Sequence, residues 1–476
     1  MINFRKNLSR NILISLLIAN ILLCSCSLLP RSNYQRPNVQ LPGMWQNQAV
    51  TGGAVADREK WWGNFNDPVL NELIDRALRT NNDLAAAAIK VRRARLKSGL
   101  TDTNITPTVD VNAAGSINRD LKNSTDSKSY SVTGALSYEL DLWGKLAAAR
   151  DSSRWEAEAT EVDRQNTALS LIGTTAKDYW QIAYLNTRIN LCENSIAYAE
   201  KTLELVNIKY EAGAVSGLDV SQAKQTLAGQ RAALTDLIQQ RTEARNALAI
   251  LFDQVPQNSL PELKRLPDGP LPAIEPGLPA SLLRQRPDLR AAELRLREYL
   301  ADVDQSRASF YPSFTLTGSL GGSSTSLKDV LQNPVATLGA GLVLPFIQWN
   351  TMQLTVKISQ TTYEEAVVNF RQTLYKALCD VENALSADAQ NQAASSFLEE
   401  SLAYARKAEQ LAEVRYRAGA TGVQDWLDAQ ETRRIAETTL ATNHLNRLKN
   451  LMTLYQALGG DTRLPLTPSS ASLFKE

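Results

Sequence analysis

One histidine, four cysteines and four methionines in 476 residues leave few groups that could hold a metal. His444 has no cluster of His, Cys or carboxylate around it in the chain, and metal sites need convergent ligands. Cys24 and Cys26 fall near the N-terminus and Cys192 and Cys379 fall in helical patterns, so no disulfide framework is expected. Charge of one sign is lacking as well. With 51 basic against 50 acidic side chains, nothing favours nucleic acid as a partner. G-x-x-x-x-G-K, G-x-S-x-G and H-E-x-x-H are all absent, and with them any visible catalytic machinery; no enzyme, no metal and no cofactor is expected.

Long apolar runs are also missing beyond the start of the chain. There, Arg5, Lys6 and Arg10 precede the apolar stretch Ile12–Leu23, too short for a bilayer core of roughly 30 Å but right for a signal peptide. It ends Leu23-Cys-Ser-Cys26. A Leu three residues before a Cys, with a small residue just before it, fits a bacterial lipobox at Cys26, whereas Cys24 fits poorly. Ordinary signal cleavage is the alternative. Ser27 after the Cys favours sorting to the outer membrane.

What the chain does have, it has twice. Tyr210-Glu-Ala-Gly213-Ala214 with Asp219 and Ala223 returns as Tyr416-Arg-Ala-Gly419-Ala420 with Asp425 and Ala429, an offset of 416 − 210 = 206 that also carries Trp143 onto Trp349. Upstream, Asp83-Leu84 returns as Asp288-Leu289 and Pro107 as Pro312, at an offset of 205. That period is far beyond solenoid repeats of about 20–50 residues, so each copy is a domain-sized unit.

Within each copy the periods separate strand from helix. Val109, Val111, Ala113, Gly115 and Ile117 alternate with polar residues, and Tyr130, Val132, Leu136, Tyr138, Leu140 and Leu142 oppose Ser131, Thr133, Ser137, Glu139 and Asp141. The spacing predicts strands over about 105–118 and 130–142, joined by a polar loop Asn118–Ser129, and again over about 312–320 and 335–346. One apolar face with aromatic ends suits lipid outside and water inside; a soluble sheet packed on a helix is the alternative. Four strands cannot close a barrel, so a membrane reading requires an oligomer that pools them. Between Lys145 and Glu211 there is no proline and one glycine, and Ile182, Leu185, Ile189, Cys192, Ile196, Ala199, Leu203, Val206 and Tyr210 keep a coiled-coil spacing. Helices are expected over 145–211, 218–252, 350–417 and 424–458, with shorter ones over about 68–101 and 278–309. Glu409 interrupts the seam of the second long helix. The domain order is a signal peptide 1–25, an anchor and equatorial segment 26–66, a first repeat 67–253, a linker 254–277, a second repeat 278–459 and a tail 460–476.

Together these residues carry a family resemblance. Tyr34-Gln-Arg-Pro37, Trp61-Trp62 with Phe65 and Asp67-Pro68, Leu140-Asp-Leu-Trp-Gly-Lys145, Arg286-Pro-Asp-Leu-Arg-Ala-Ala-Glu293, Phe310-Tyr-Pro-Ser313 and Leu427-Asp-Ala-Gln430 occur in order. The chain resembles the outer membrane efflux proteins of Gram-negative bacteria, the TolC/OprM group, and its NodT-type lipoprotein branch. The resemblance implies a mainly α chain with membrane β: a homotrimer pooling four strands per chain into a twelve-stranded barrel, continued by a coiled-coil periplasmic tunnel. It implies an outer membrane location with a palmitate-bearing Cys26 in the lipid. It also implies passive conduction of small molecules such as drugs, with a periplasmic adaptor (membrane fusion) protein and an inner-membrane pump of RND or ABC type as partners.

The resemblance further implies a periplasmic gate at Asp425-Trp-Leu-Asp428, with Tyr416 and Asp219 at latch positions, and adaptor contacts at Gly213, Gly217, Gly419 and Gly422. A spacing of three puts Asp425 and Asp428 on nearly one helix face. Helix capping is the other reading, with Asp425 and its repeat mate Asp219 as N-caps, and simple helix reversal is the other reading of the glycines. The family's latch arginine falls on Thr421. Two further readings stand beside the efflux duct: a channel for an ABC-driven type I protein secretion system, and a trimeric coiled-coil surface protein. The lipobox and the Tyr-x-Arg-Pro opening favour the duct.

Overall fold

The computed structural model describes residues 31–47, 60–122, 125–256, 260–272, 274, 276–332 and 334–460. The signal peptide, the Cys26 anchor and all of the tail but Gly460 lie outside them. In chain order the helices are α1 (Pro68–Thr80), α2 (Asn82–Asp102), α3 (Lys145–Glu211), α4 (Gly217–Ile250), α5 (Leu282–Gln285), α6 (Pro287–Ala308), α7 (Trp349–Arg417) and α8 (Val423–Ala457). The strands are β1 (Thr108–Asp120), β2 (Thr125–Leu140), β3 (Ser313–Ser324) and β4 (Val335–Val343). Each half therefore runs helix, strand pair, very long helix, return helix. No helix among the described residues is long and apolar enough to cross a membrane.

The chain divides into two compact units. The first holds residues 31–38, 90–160 and 291–371, and with them the sheet. Its strands lie in the order β1-β2-β3-β4, all antiparallel. Register lines up one apolar face: Val109 opposite Leu136, Leu136 opposite Gly318 and Gly318 opposite Leu338, with Tyr138, Leu316 and Ala340 in a neighbouring row. The other face carries Thr108, Ser137 and Thr317 in one row and Asp110, Ala135, Ser319 and Thr337 in the next. Among the described residues neither edge of the sheet is paired, and Val111 and Leu338 are 77% and 91% exposed. Around the sheet, motif residues form fixed contacts. Asp141 accepts from the N–H groups of Leu146 and Ala147 and so caps α3, while Trp143 donates to the Pro312 carbonyl at 2.7 Å. Arg36 of the Tyr-x-Arg-Pro opening pairs with Glu293 at 2.7 Å.

The strand bounds differ from those expected. The polar loop Asn118–Ser129 is absent: pairing continues through Asn118↔Ser127 to Asp120↔Thr125, and the connection shrinks to 121–124. Apolar alternation marks only the stretch with a buried or lipid-facing side, whereas backbone hydrogen bonds do not require it. β4 stops at Val343 because Pro345 has no N–H for the ladder.

The second unit holds residues 39–89, 161–290 and 372–460 among those described. Its largest core cluster places Trp61, Trp62, Leu70, Ile74, Ile172, Tyr179, Trp180 and Tyr455 together, with Trp61 stacked on Tyr455 at 4.7 Å. The single helix expected over 68–101 is broken. Asn81 is extended, its side chain accepts from Leu84 N–H and donates to the Leu251 carbonyl, and a new helix starts there. The helix expected over 278–309 is likewise cut at Arg286, because a residue before proline avoids the helical region. Arg286 turns that break into a junction, bonding Asp288, Asp380 and the Ala457 carbonyl. Cys192 is buried with its thiol on the Gln230 carbonyl, and Cys379 is exposed; both are free.

Candidate functional site at the helical turns

The site lies in the second unit, where α3 and α7 reverse into α4 and α8. Both long helices end in the same way. Gly213 and Gly419 have φ of +75°, a conformation glycine adopts without cost. Gly213 N–H bonds the Tyr210 carbonyl and Ala214 N–H the Lys209 carbonyl; Gly419 and Ala420 repeat this onto Tyr416 and Arg415. Gly217 is the first residue of α4 and Gly422 the N-cap of α8.

Neither aspartate is an N-cap, contrary to the capping expectation. Ser216 caps α4, and Asp219, three residues on, closes a capping box by accepting from Ser216 N–H and Oγ. Asp425 occupies the equivalent third position behind Gly422, which has no side chain to reciprocate. The Ser216 hydroxyl above all, and then the N–H groups of Ser216 and Val423, hold the Asp219 carboxyl below the usual carboxylate range against an opposing effect of burial. Val423 is the first residue of α8, so one carboxylate faces the starts of both return helices.

Tyr416 is 1% exposed and stacks on Trp426 at 5.3 Å. Val206, Ala223, Val423 and Leu427 complete this cluster. Burial, and after it the Asp219 charge, pushes the Tyr416 phenol up. Lys209 Nζ donates to the Tyr416 carbonyl at 2.7 Å and stands 4.1 Å from the ring centroid. Tyr416 and Asp219 thus lie together. Asp425 and Asp428 are exposed, and the Asp428 carboxylate accepts a local bond from Gln424 at 2.7 Å. Thr421 presents a buried hydroxyl without a partner among the described residues. Of the neighbouring arginines, Arg417 is taken by Glu413, which also accepts from the Tyr198 hydroxyl.

Lys209 and Trp426 were not singled out by sequence reasoning. A signal existed: Lys209 is basic in the last turn of its helix, where a cation meets the carbonyl end. Glu409, the break in the α7 seam, also finds its reason here. It is 6% exposed and ion-paired with Arg433 of α8, which also pairs with Glu437 at 3.0 Å. Burial raises the Glu409 pKa while Arg433 pulls it down. We expect Glu409→Ala and Glu409→Leu each to destabilise the protein by about 1–3 kcal/mol by leaving Arg433 half-partnered, the Leu variant less so because it restores the seam. Thermal unfolding of the two variants in detergent measures both; wild-type stability in the Leu variant would show that the pair does not matter.

Comparison with known proteins agrees across the chain. The profile of the outer membrane efflux protein family matches residues 73–252 and again 278–460. The pyoverdine export outer membrane protein OpmQ of Pseudomonas putida is 31% identical over 450 residues, covering 92% of this chain and 96% of its own. The toxin and drug export protein A of Aggregatibacter actinomycetemcomitans is 29% identical over 409 residues, 85% of this chain and 89% of its own. Among solved structures, the CmeC outer membrane channel of Campylobacter jejuni superposes with a TM-score of 0.82 at 25% identity, covering 94% of this chain and 98% of that one. The open state of the MtrE outer membrane channel of Neisseria gonorrhoeae gives 0.80 at 29% identity, covering 91% and 100%. One profile fitting both halves, relatives aligned end to end and channels of the same fold make this chain a member of the outer membrane efflux protein family, located in the outer membrane of a Gram-negative bacterium.

Proposed function

We propose that this protein is the outer membrane exit duct of a tripartite efflux pump, a homotrimer whose chains pool four strands each into a twelve-stranded barrel. The observation that carries this reading is the sheet. Among the described residues it has two unpaired edges and a continuous apolar face in one row and the next, and an unpaired, exposed, apolar edge is a pairing surface rather than a stable end. Closure by copies of the same chain satisfies every backbone group in lipid, and the polar face then lines a wet lumen. Conduction is passive. An inner-membrane pump of RND or ABC type supplies the energy, and a periplasmic adaptor meets the turns at Gly213, Gly217, Gly419 and Gly422. Small molecules such as drugs are the cargo. Acyl chains on Cys26 add a lipid anchor, which intact mass of the mature chain reads directly.

A second reading, the channel of an ABC-driven protein secretion system, has one supporting observation: a relative named for both toxin and drug export. The same duct serves either cargo. Native mass measurement in detergent or nanodiscs tests the assembly. Three chains per particle are expected; a stable monomer with folded strands would sink the barrel.

A further inference from the structure

The geometry points to Lys209 as the residue that clasps the two helical hairpins of each chain together at the gate, acting through its cation on the backbone carbonyl and ring of Tyr416. This rests on the exit-duct reading and names the residue that positions its gate. The two hairpin turns are built alike, yet the tyrosines that end α3 and α7 differ. Tyr210 is 51% exposed, whereas its repeat mate Tyr416 is buried. The mate of Lys209 is Arg415, which is exposed. The clasp therefore runs one way, from the first hairpin onto the second.

Its chemistry is specific. In the turn, the Tyr416 carbonyl already accepts Gly419 N–H at 3.1 Å, and Lys209 brings a second, charged donor at 2.7 Å to the negative end of α7. The same ammonium lies within cation–π reach of the ring. Separating the second hairpin from the first strips both contacts at once. The Tyr416 hydroxyl is buried without a hydrogen-bond partner among the described residues, so no bond through the phenol joins the hairpins within the described chain. A latch through the phenol and a clasp through the carbonyl therefore predict opposite mutant behaviour.

Single-channel recording of purified trimers in planar bilayers separates them. Lys209→Met should raise the open-to-closed ratio on the order of tenfold, the weight of one charge-assisted hydrogen bond. Lys209→Arg should stay close to wild type, and Tyr416→Phe should change nothing. Wild-type gating in Lys209→Met, or opening in Tyr416→Phe alone, would overturn the clasp. A second measurement needs no conduction. Spin labels at Glu211→Cys and Arg415→Cys in a Cys379→Ser background should move apart when Lys209→Gln is added, and an unchanged distance would equally overturn it. A wild-type trimer that passes no ions would instead strike the duct reading and leave the label distance to decide the clasp.

Discussion

Valine at position 321 will keep this chain from assembling in the outer membrane. Gly321 of β3 lies opposite Thr133 of β2, and a Cβ placed on it would sit 2.4 Å from the Val132 carbonyl oxygen and 2.9 Å from the Thr133 Cα. Both are backbone atoms in the middle of a ladder, so no side chain can swing aside. The strands must separate locally, exposing N–H and C=O groups that lipid cannot satisfy, at several kcal/mol for each unpaired group. Gly341 of β4 is the control. A Cβ there meets only the Thr315 carbonyl at 3.9 Å, an ordinary contact. Fractionation followed by native electrophoresis should find Gly321→Val without trimer and Gly341→Ala close to wild type. Trimer in normal amount from Gly321→Val would mean that the β2–β3 register is wrong.

The second large effect concerns Asp425 and Asp428, exposed at the start of α8 in the single chain. In a trimer with α8 nearest the axis, six carboxylates would form two rings one helical turn apart. Conductance of wild-type trimers should then fall when divalent cations are added on the periplasmic side. Asp425→Asn with Asp428→Asn should abolish that response while leaving the bore almost unchanged, and Ala at both positions should also widen it. Helix-end stabilisation makes a different forecast. Loss of an acid from the first turn, where it meets the positive end of the helix, costs about 0.3–1 kcal/mol. Mutants that unfold slightly earlier and keep full cation sensitivity would move the constriction to Tyr416 and its neighbours.

Much of the fold could be read from periodicity, because period two and period 3.5 report which side of an element meets an apolar medium. The Glu409 interruption shows where that reading stops. One charged residue on a seam looks like an error until Arg433, 24 residues away on another helix, is placed beside it (433 − 409 = 24). The breaks at Asn81 and Arg286 were missed for a related reason: continuous apolar spacing hid a side-chain cap in one and a pre-proline residue in the other. At the helical turns, the sequence shows that Tyr416 repeats Tyr210, but not that one is buried and the other open. Lys209 is legible only as a cation in the last turn of its helix, since its acceptor is a backbone carbonyl, and backbone carbonyls carry no residue identity.

The middle ladder of the sheet has a bearing on how this protein comes to be. Leu140 pairs with Phe314, a separation of 314 − 140 = 174 residues, whereas β1 and β2 pair from Asp120 and Thr125, close in the chain. A nascent chain can therefore zip its first hairpin early but has no partner for β2 until nearly two hundred further residues have been made and exported. Closing so long a loop is slow, and the waiting hairpin shows lipid-seeking side chains to an aqueous compartment. The β2–β3 ladder thus brings a long exposed interval into the biogenesis of this chain, during which a chaperone that shields one unpaired strand edge would matter more than any contact within the finished sheet.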